Sequence, residues 1–299
     1  MSQSSEDKLA PHEFKVRSDV PFHMGLGVLS GIYVILILAM LIAESTYASP
    51  ASMLEALRKP EVLYSIRLSL FSCTVTTILA LWIAIPIGYL MSRYRFRGKV
   101  LVDAILDIPI VLPPLVVGLC LLILFQTDVG KFVEGNYISS MAWICEKLSN
   151  ATGKTILPPA GITYEIPAVI LAQLMVACAF AVRTMRVAFD QIHTRYEEVA
   201  LTLGCSRSQA FWRVVFPQSR RGILAAGTLA WARSLGEFGP ILVFAGATRM
   251  KTEVLSTTVF LELTVGNIEG AVTASLIMVI AALFVLIFAR LFGLQRMAI

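Results

Sequence analysis

From one charged residue to the next, the chain divides into long apolar runs separated by short charged segments. An apolar run from Gly25 to Ala43 lies between Asp19 and Glu44, and 25 uncharged residues separate Arg67 from Arg93. A third run, PIVLPPLVVGLCLLILF, lies between Asp107 and Asp128, and a fourth, of 17 uncharged residues, lies between Glu165 and Arg183. The fifth, Gly222 to Thr248, carries Arg233 and Glu237 inside it, and the sixth runs from Gly270 to Ala289. A helix crosses the hydrocarbon core with roughly 20 mostly apolar residues. The pattern therefore predicts six spans, at about 25–43, 64–91, 100–125, 165–189, 222–247 and 270–290. Transmembrane β-strands would instead show about ten residues of alternating polarity, so the predicted class is an all-α integral membrane protein.

Composition agrees. Hydrophobic residues make up 57% of the 299 and charged residues 15%, against about 25% charged in soluble domains. A water-soluble globule of this kind would lack the charges to cover its surface, whereas a bilayer solvates apolar side chains directly. A disordered chain, a soluble enzyme domain and a disulfide-stapled secreted module are excluded. The cysteines Cys73, Cys120, Cys145, Cys178 and Cys205 are scattered without a C-x-x-C pair and read as packing residues. His12, His23 and His193 are isolated, and no metal site, cofactor site or nucleophile–base pair is predicted.

The net charge of +5 would suggest nucleic acid in a soluble domain, but in a membrane protein its placement sets topology. With the N-terminus inside, sixteen of the 25 Lys and Arg fall on cytoplasmic segments and seven on outer ones. Both termini are therefore expected in the cytoplasm, with a tail at 1–24, a permease domain at 25–293 and a tail at 294–299. The first run could instead be a cleaved signal peptide, although it exceeds the usual length of about 7–15 apolar residues and no A-x-A follows closely. The outer connection, about 126–164, is long, and Ile138, Met141, Cys145 and Leu148 share a face of a short helix expected at the membrane surface.

The most informative stretch is RYEEVALTLGCSRSQAFWRVVFPQSRRG, from Arg195 to Gly222, within a cytoplasmic loop at about 190–221. Gly204 can take the left-handed conformation that closes a helix. Ser206 and Gln209 have capping-box spacing for a second start, Phe211, Val214 and Val215 share a face, and Pro217 is expected to stop that helix. Without further information this is a helix pair folded back on the bundle.

The spacing Glu198-Val199-Ala200, then Gly204, then Val214-Val215-Phe216-Pro217 resembles the EAA loop of importer-type ABC transporter permeases. The resemblance covers about 64–293 and implies the type I importer (MetI-like) fold, a bundle of six transmembrane helices working as half of a homodimeric pathway. It also implies a separate ABC ATPase dimer, docked through Glu198, Ala200, Gly204, Phe211 and Pro217, and an extracytoplasmic solute-binding protein. The chain itself has no phosphate loop: Gly222 and Gly227 have the right spacing but lead into Thr228 and Leu229. A transport subunit rather than an enzyme is implied, multi-pass in the inner membrane and without nucleic-acid partners.

An ionised group near the bilayer centre costs at least about 2.5–3.5 kcal/mol, so Arg233 and Glu237 should face the bundle or a wet route. They are either a self-neutralising i, i+4 pair or part of a translocation pathway. Pro113 and Pro114 either bend the third span for packing or free carbonyls toward that pathway; Asp103 and Asp107 read as interfacial. ARSLGEFG, from Ala232, and Lys251-Thr252-Glu253 resemble the sulfate, molybdate and tungstate permeases of the same superfamily, which implies a tetrahedral oxyanion. Phosphate, polyamine, iron and thiamine permeases share parts of the pattern. A self-sufficient channel or ion-coupled secondary transporter, with Arg233, Glu237, Asp103 and Asp107 carrying ions, is the alternative from another class.

Overall fold

The computed structural model describes residues 19–47, 50–152 and 161–294, and every regular element among them is helical. Lys8, His12, Lys15, Arg17, Lys154 and Arg296 lie outside the described residues, as do most of both predicted tails. Two units are distinguished, divided between Tyr47 and Ala48. The first contains α1 (Val20–Tyr47), 28 residues, of which Phe22–Tyr47 is long and apolar enough to cross a membrane.

The second unit begins with α2 (Pro50–Ala56), α3 (Pro60–Arg93), α4 (Lys99–Val111) and α5 (Pro114–Gln126). It continues through α6 (Asp128–Thr152), α7 (Ile166–Asp190), α8 (Arg195–Thr202) and α9 (Arg207–Ala210). A π turn (Phe211–Val215), α10 (Phe216–Gln218), α11 (Arg220–Leu235), α12 (Gly239–Phe244), α13 (Leu255–Thr264) and α14 (Ile268–Leu294) complete it.

Helices α3, α7 and α11 form the centre, joined by small side chains. Ala80 and Ala84 of α3, Ala177 and Ala181 of α7, and Ala226 and Ala230 of α11 are all buried in one cluster. Small residues let helices approach closely where lipid supplies no hydrophobic drive between them. Approach is closest at Gly222, where a Cβ would stand 2.2 Å from the Ala188 Cβ. Gln173 of α7 ties the three together: its Oε1 accepts the Thr76 hydroxyl at 3.2 Å and its Nε2 donates to the Ser234 carbonyl at 3.2 Å. That carbonyl lies in the last turn of α11 and also accepts the Glu237 amide at 3.2 Å.

The expected count of six spans is not reproduced by helix length and composition. Among the described residues four helices are long and apolar enough to cross, and a bent pair brings the number to five by length and composition. That pair is the predicted third span, split into α4 and α5 and bent by 111°. Pro113 has no N–H to continue the ladder, and Leu112 before it is extended at φ −65° and ψ 140°. The predicted fifth span is split as well: Gly236 caps the end of α11, and the six-residue α12 begins at Gly239 with Pro240 in its first turn. Apolar run length reports solvation by lipid, not helical continuity, so neither interruption alters the sequence signal.

Among the described residues, the long connection after α5 holds a 25-residue helix, α6, rather than a short one. A Cβ at Gly130 would lie 2.2 Å from the Leu124 carbonyl oxygen, so only glycine permits the tight turn from α5 into α6. Pro217 does not stop the helical path. The Phe216 amide donates to the Phe211 carbonyl, the wider π pattern just before the proline, and the path runs on to Gln218.

Candidate coupling surface and membrane interruption

The loop between α7 and α11 is built as two short helices around a glycine. Gly204 has φ +87°, and the Cys205 amide reaches the Ala200 carbonyl at 3.0 Å, the Schellman closure. Ser206 then accepts the Gln209 amide at 3.2 Å and donates its own amide to Gln209 Oε1 at 2.9 Å. Both halves of the predicted joint are thus formed.

The loop's two faces differ. Tyr196, Glu198, Val199, Leu203 and Trp212 are exposed. Ala200 is buried and Phe211 half-buried; the Phe211 ring lies 4.8 Å from that of Tyr89 and 6.4 Å from that of Phe189. Of the residues expected to dock a partner, Glu198 faces out, while Ala200 and Phe211 face the bundle. Sequence reasoning missed Arg93 and Glu197, which hold the loop there: the Arg93 Nε donates to Glu197 Oε1 at 2.6 Å and its Nη2 to the Ile192 carbonyl at 2.9 Å. No spacing rule relates residues so far apart; the only trace was an arginine ending a span and an acidic pair opening the loop.

Neighbouring ion pairs lie on the same side. Arg186 binds Asp103, and Arg183 lies 3.8 Å from Asp107, linking α7 to α4. The Ser92 hydroxyl donates to Asp190 at 2.5 Å.

Within the membrane the two interruptions pack on each other. A Cβ on Gly239 would meet the Leu115 amide nitrogen and the Pro114 Cβ at 2.9 Å, and one on Gly118 would meet the Pro240 Cα at 2.8 Å. Next to this contact, Arg233 Nη2 lies 3.0 Å from Glu237 Oε2. The pair is unequally buried, at 30% exposure for the arginine side chain and 1% for the glutamate. The guanidinium also lies 5.8 Å from the Phe180 ring centroid, within cation–π range. Glu237 Oε2 has the ion contact but no hydrogen bond of good geometry.

At the opposite end of the central helices, Arg249 binds Glu61 at 2.8 Å and Glu262 at 3.0 Å, and Lys251 binds Glu165 at 2.6 Å. Glu253 is buried beside this rim. Burial pushes its carboxyl above the ordinary range, partly offset by the Thr258 hydroxyl and Arg249.

Residues 84–296 match the family described as the binding-protein-dependent transport system inner membrane component. The chain is 31% identical over 269 residues to a sulfate transport system permease protein of Escherichia coli (strain K12), covering 89% of this chain and 90% of that one. A probable molybdenum ABC transporter permease protein of Haloferax volcanii is 33% identical, with 73% of this chain and 71% of the relative covered. Among solved structures, a bacterial alginate ABC transporter in complex with alginate pentasaccharide-bound periplasmic protein has the same fold, at a TM-score of 0.67 and 16% identity. The match covers 94% of this chain and 96% of that one. The chain belongs to the inner membrane components of binding-protein-dependent transport systems: it is an ABC importer permease, a transport subunit and not an enzyme.

Proposed function

We propose that this permease forms, as a homodimer, the membrane pathway of an ATP-driven importer for a tetrahedral oxyanion such as sulfate, molybdate or tungstate. The relatives named for those solutes support the solute class. The observation that carries the coupling is the outward face of the loop: Glu198 set among Tyr196, Val199, Leu203 and Trp212, exposed beside a closed glycine joint. Exposed apolar side chains ringed by polar ones mark a protein interface. The occupant is a separate ATPase subunit, with Gly204 closing the joint at the edge of the surface and Ala200, Phe211 and Pro217 holding it in shape from behind. Both termini and this loop lie in the cytoplasm, residues 25–293 form the permease domain, and an extracytoplasmic binding protein meets the opposite rim.

The part-exposed Arg233 guanidinium gives an anion a cationic partner beside the Pro113–Pro114 and Glu237 interruptions, where discontinuous helices characteristically build midplane sites. The decisive experiment is uptake of sulfate, molybdate and tungstate into proteoliposomes holding the permease, its ATPase subunit and its binding protein. ATP-dependent uptake of at least one anion is expected. Uptake of none of them overturns the oxyanion assignment, and uptake without the ATPase overturns the coupling. A cysteine at Ser206 labelled by an impermeant reagent from outside intact cells overturns the topology.

A further inference from the structure

We propose that Glu197 is a positioning residue of the coupling loop, fastening α8 to α3 so that the docking surface and the membrane helix move together; the inference rests on the docking reading above. Glu197 lies in the first turn of α8, next to Glu198, and neighbouring positions on a helix point about 100° apart. The two acidic residues therefore separate: Glu198 is exposed, while the Glu197 side chain is only 15% exposed.

Both oxygens of Glu197 are used by α3. Oε1 accepts from Arg93 Nε at 2.6 Å and Oε2 accepts from the Tyr89 hydroxyl at 2.9 Å. Tyr89 and Arg93 are one turn apart, so they approach the carboxylate from the same face. Arg93, 8% exposed, has its other bond on the Ile192 carbonyl in the turn that follows α7. One carboxylate and one guanidinium thus join α3, the end of α7 and α8. Tyr89 extends the joint, because its ring also packs on Phe211 at 4.8 Å and Phe189 at 5.6 Å. Any tilt of α8 relative to α3 breaks two charge-assisted bonds of good length, which are about twice as strong as neutral ones. A push delivered to the exposed face of α8 is carried to α3 only as stiffly as this joint holds.

A residue that merely stabilised the fold would lower folded yield, ATP hydrolysis and uptake together. A positioning residue changes the ratio between the last two. The test uses the assembled transporter in proteoliposomes, with the oxyanion identified by the uptake assay, and scores anion imported per ATP hydrolysed. Glu197→Gln keeps the size and one acceptor but loses the charge. It should co-purify with the ATPase subunit and hydrolyse ATP at nearly the parent rate while importing about tenfold less per ATP, the size of a lost charge-assisted bond. Arg93→Lys and Tyr89→Phe each retain part of the joint and should fall between, and they decide the matter if Glu197→Gln does not fold. Glu198→Gln should instead weaken co-purification. A parent-like ratio in all three joint variants overturns the proposal, and so does a parallel fall of yield, hydrolysis and uptake. A parent chain that imports without any ATPase subunit overturns the docking reading itself, an outcome distinct from either.

Discussion

Helix α3 ends in ionic contacts on both sides of the membrane, and the two ends are built differently. At its beginning, Glu61 meets Arg249, which also holds Glu262; the exposures are 42%, 41% and 18%. At its end, Arg93 meets Glu197 at exposures of 8% and 15%. Each charge lies at the end that suits the helix dipole, acidic first and basic last. Beyond that, an exposed pair is screened by water and contributes from nothing to about 1 kcal/mol. A buried pair contributes little net stability either, yet losing one partner strands the other charge. The exposed contact at Glu61 can be remade in several ways, whereas the buried one at Arg93 fixes a single geometry. If the loop docks a partner as proposed, a surface that the partner pushes needs the second kind of contact.

The sharpest way to break this contrast is to delete an acid at each end. Glu197→Ala leaves the Arg93 guanidinium buried without its carboxylate, and arginine cannot escape by losing a proton. A loss of about 3–5 kcal/mol is expected. Glu61→Ala leaves Arg249 with Glu262 and should lose less than about 1 kcal/mol. Thermal unfolding of the purified protein in detergent compares them, and equal losses would erase the distinction between the two ends.

Between the two ends lies Arg233 with Glu237, where the effect should be smaller because a stranded glutamate can take up a proton. Arg233→Met alone should reduce folded yield, and Arg233→Met with Glu237→Met should recover most of it, since apolar replacement of a whole buried pair is often harmless. Transport separates the roles: a folded double variant that hydrolyses ATP but imports no anion places Arg233 on the pathway. Recovery of yield and uptake together retires that role and leaves a structural pair.

What was legible in the sequence follows the range of the forces involved. Gly204, Ser206 and Gln209 act within one turn of themselves, so their joint could be read residue by residue. The apolar runs reported lipid solvation but not helical continuity: Pro113 and Pro114 announced a bend in the third span, while its size and the break at Gly236 appeared only in three dimensions. Pro217 misled because the π turn before it is set by the packing of Phe211 and Val215 against the bundle, not by the proline. Arg93 with Glu197, and Arg249 with Glu61, join residues more than a hundred positions apart; only the folded backbone brings them together.

A smaller effect comes from twin glycines at the two ends. Gly204 and Gly266 have φ of +87° and +81°, and neither position would crowd an added Cβ. Each closes a helix by the same bond pattern, Cys205 to the Ala200 carbonyl and Asn267 to the Glu262 carbonyl. Valine at either should therefore cost the same conformational strain, about 1–2 kcal/mol. Only Gly204→Val should lose co-purification with the ATPase subunit, because only Gly204 lies beside the exposed face of α8. Equal loss of assembly in both would assign the effect to general destabilisation.

The smallest expected effect is a pH dependence confined to the rim around Arg249. Glu253 is buried with Oε2 lacking a hydrogen-bond partner, and burial raises its carboxyl above the ordinary range, with Glu61 adding to the rise while Thr258 and Arg249 oppose it. A raised carboxyl holds its proton more tightly in the folded chain than in the unfolded one. Its contribution to stability is therefore present in full below the ordinary carboxylate value, about 4.3 for Glu, and is lost as pH rises through the folded value. Glu253→Gln keeps an oxygen for the Thr258 hydroxyl and cannot ionise. Its unfolding midpoint should match the parent in acid and exceed it near neutrality. A midpoint below the parent at neutral pH would mean that the ionised Glu253 is satisfied by Arg249 after all. The Arg249 rim would then share the tight pairing that otherwise distinguishes the Arg93–Glu197 end of α3.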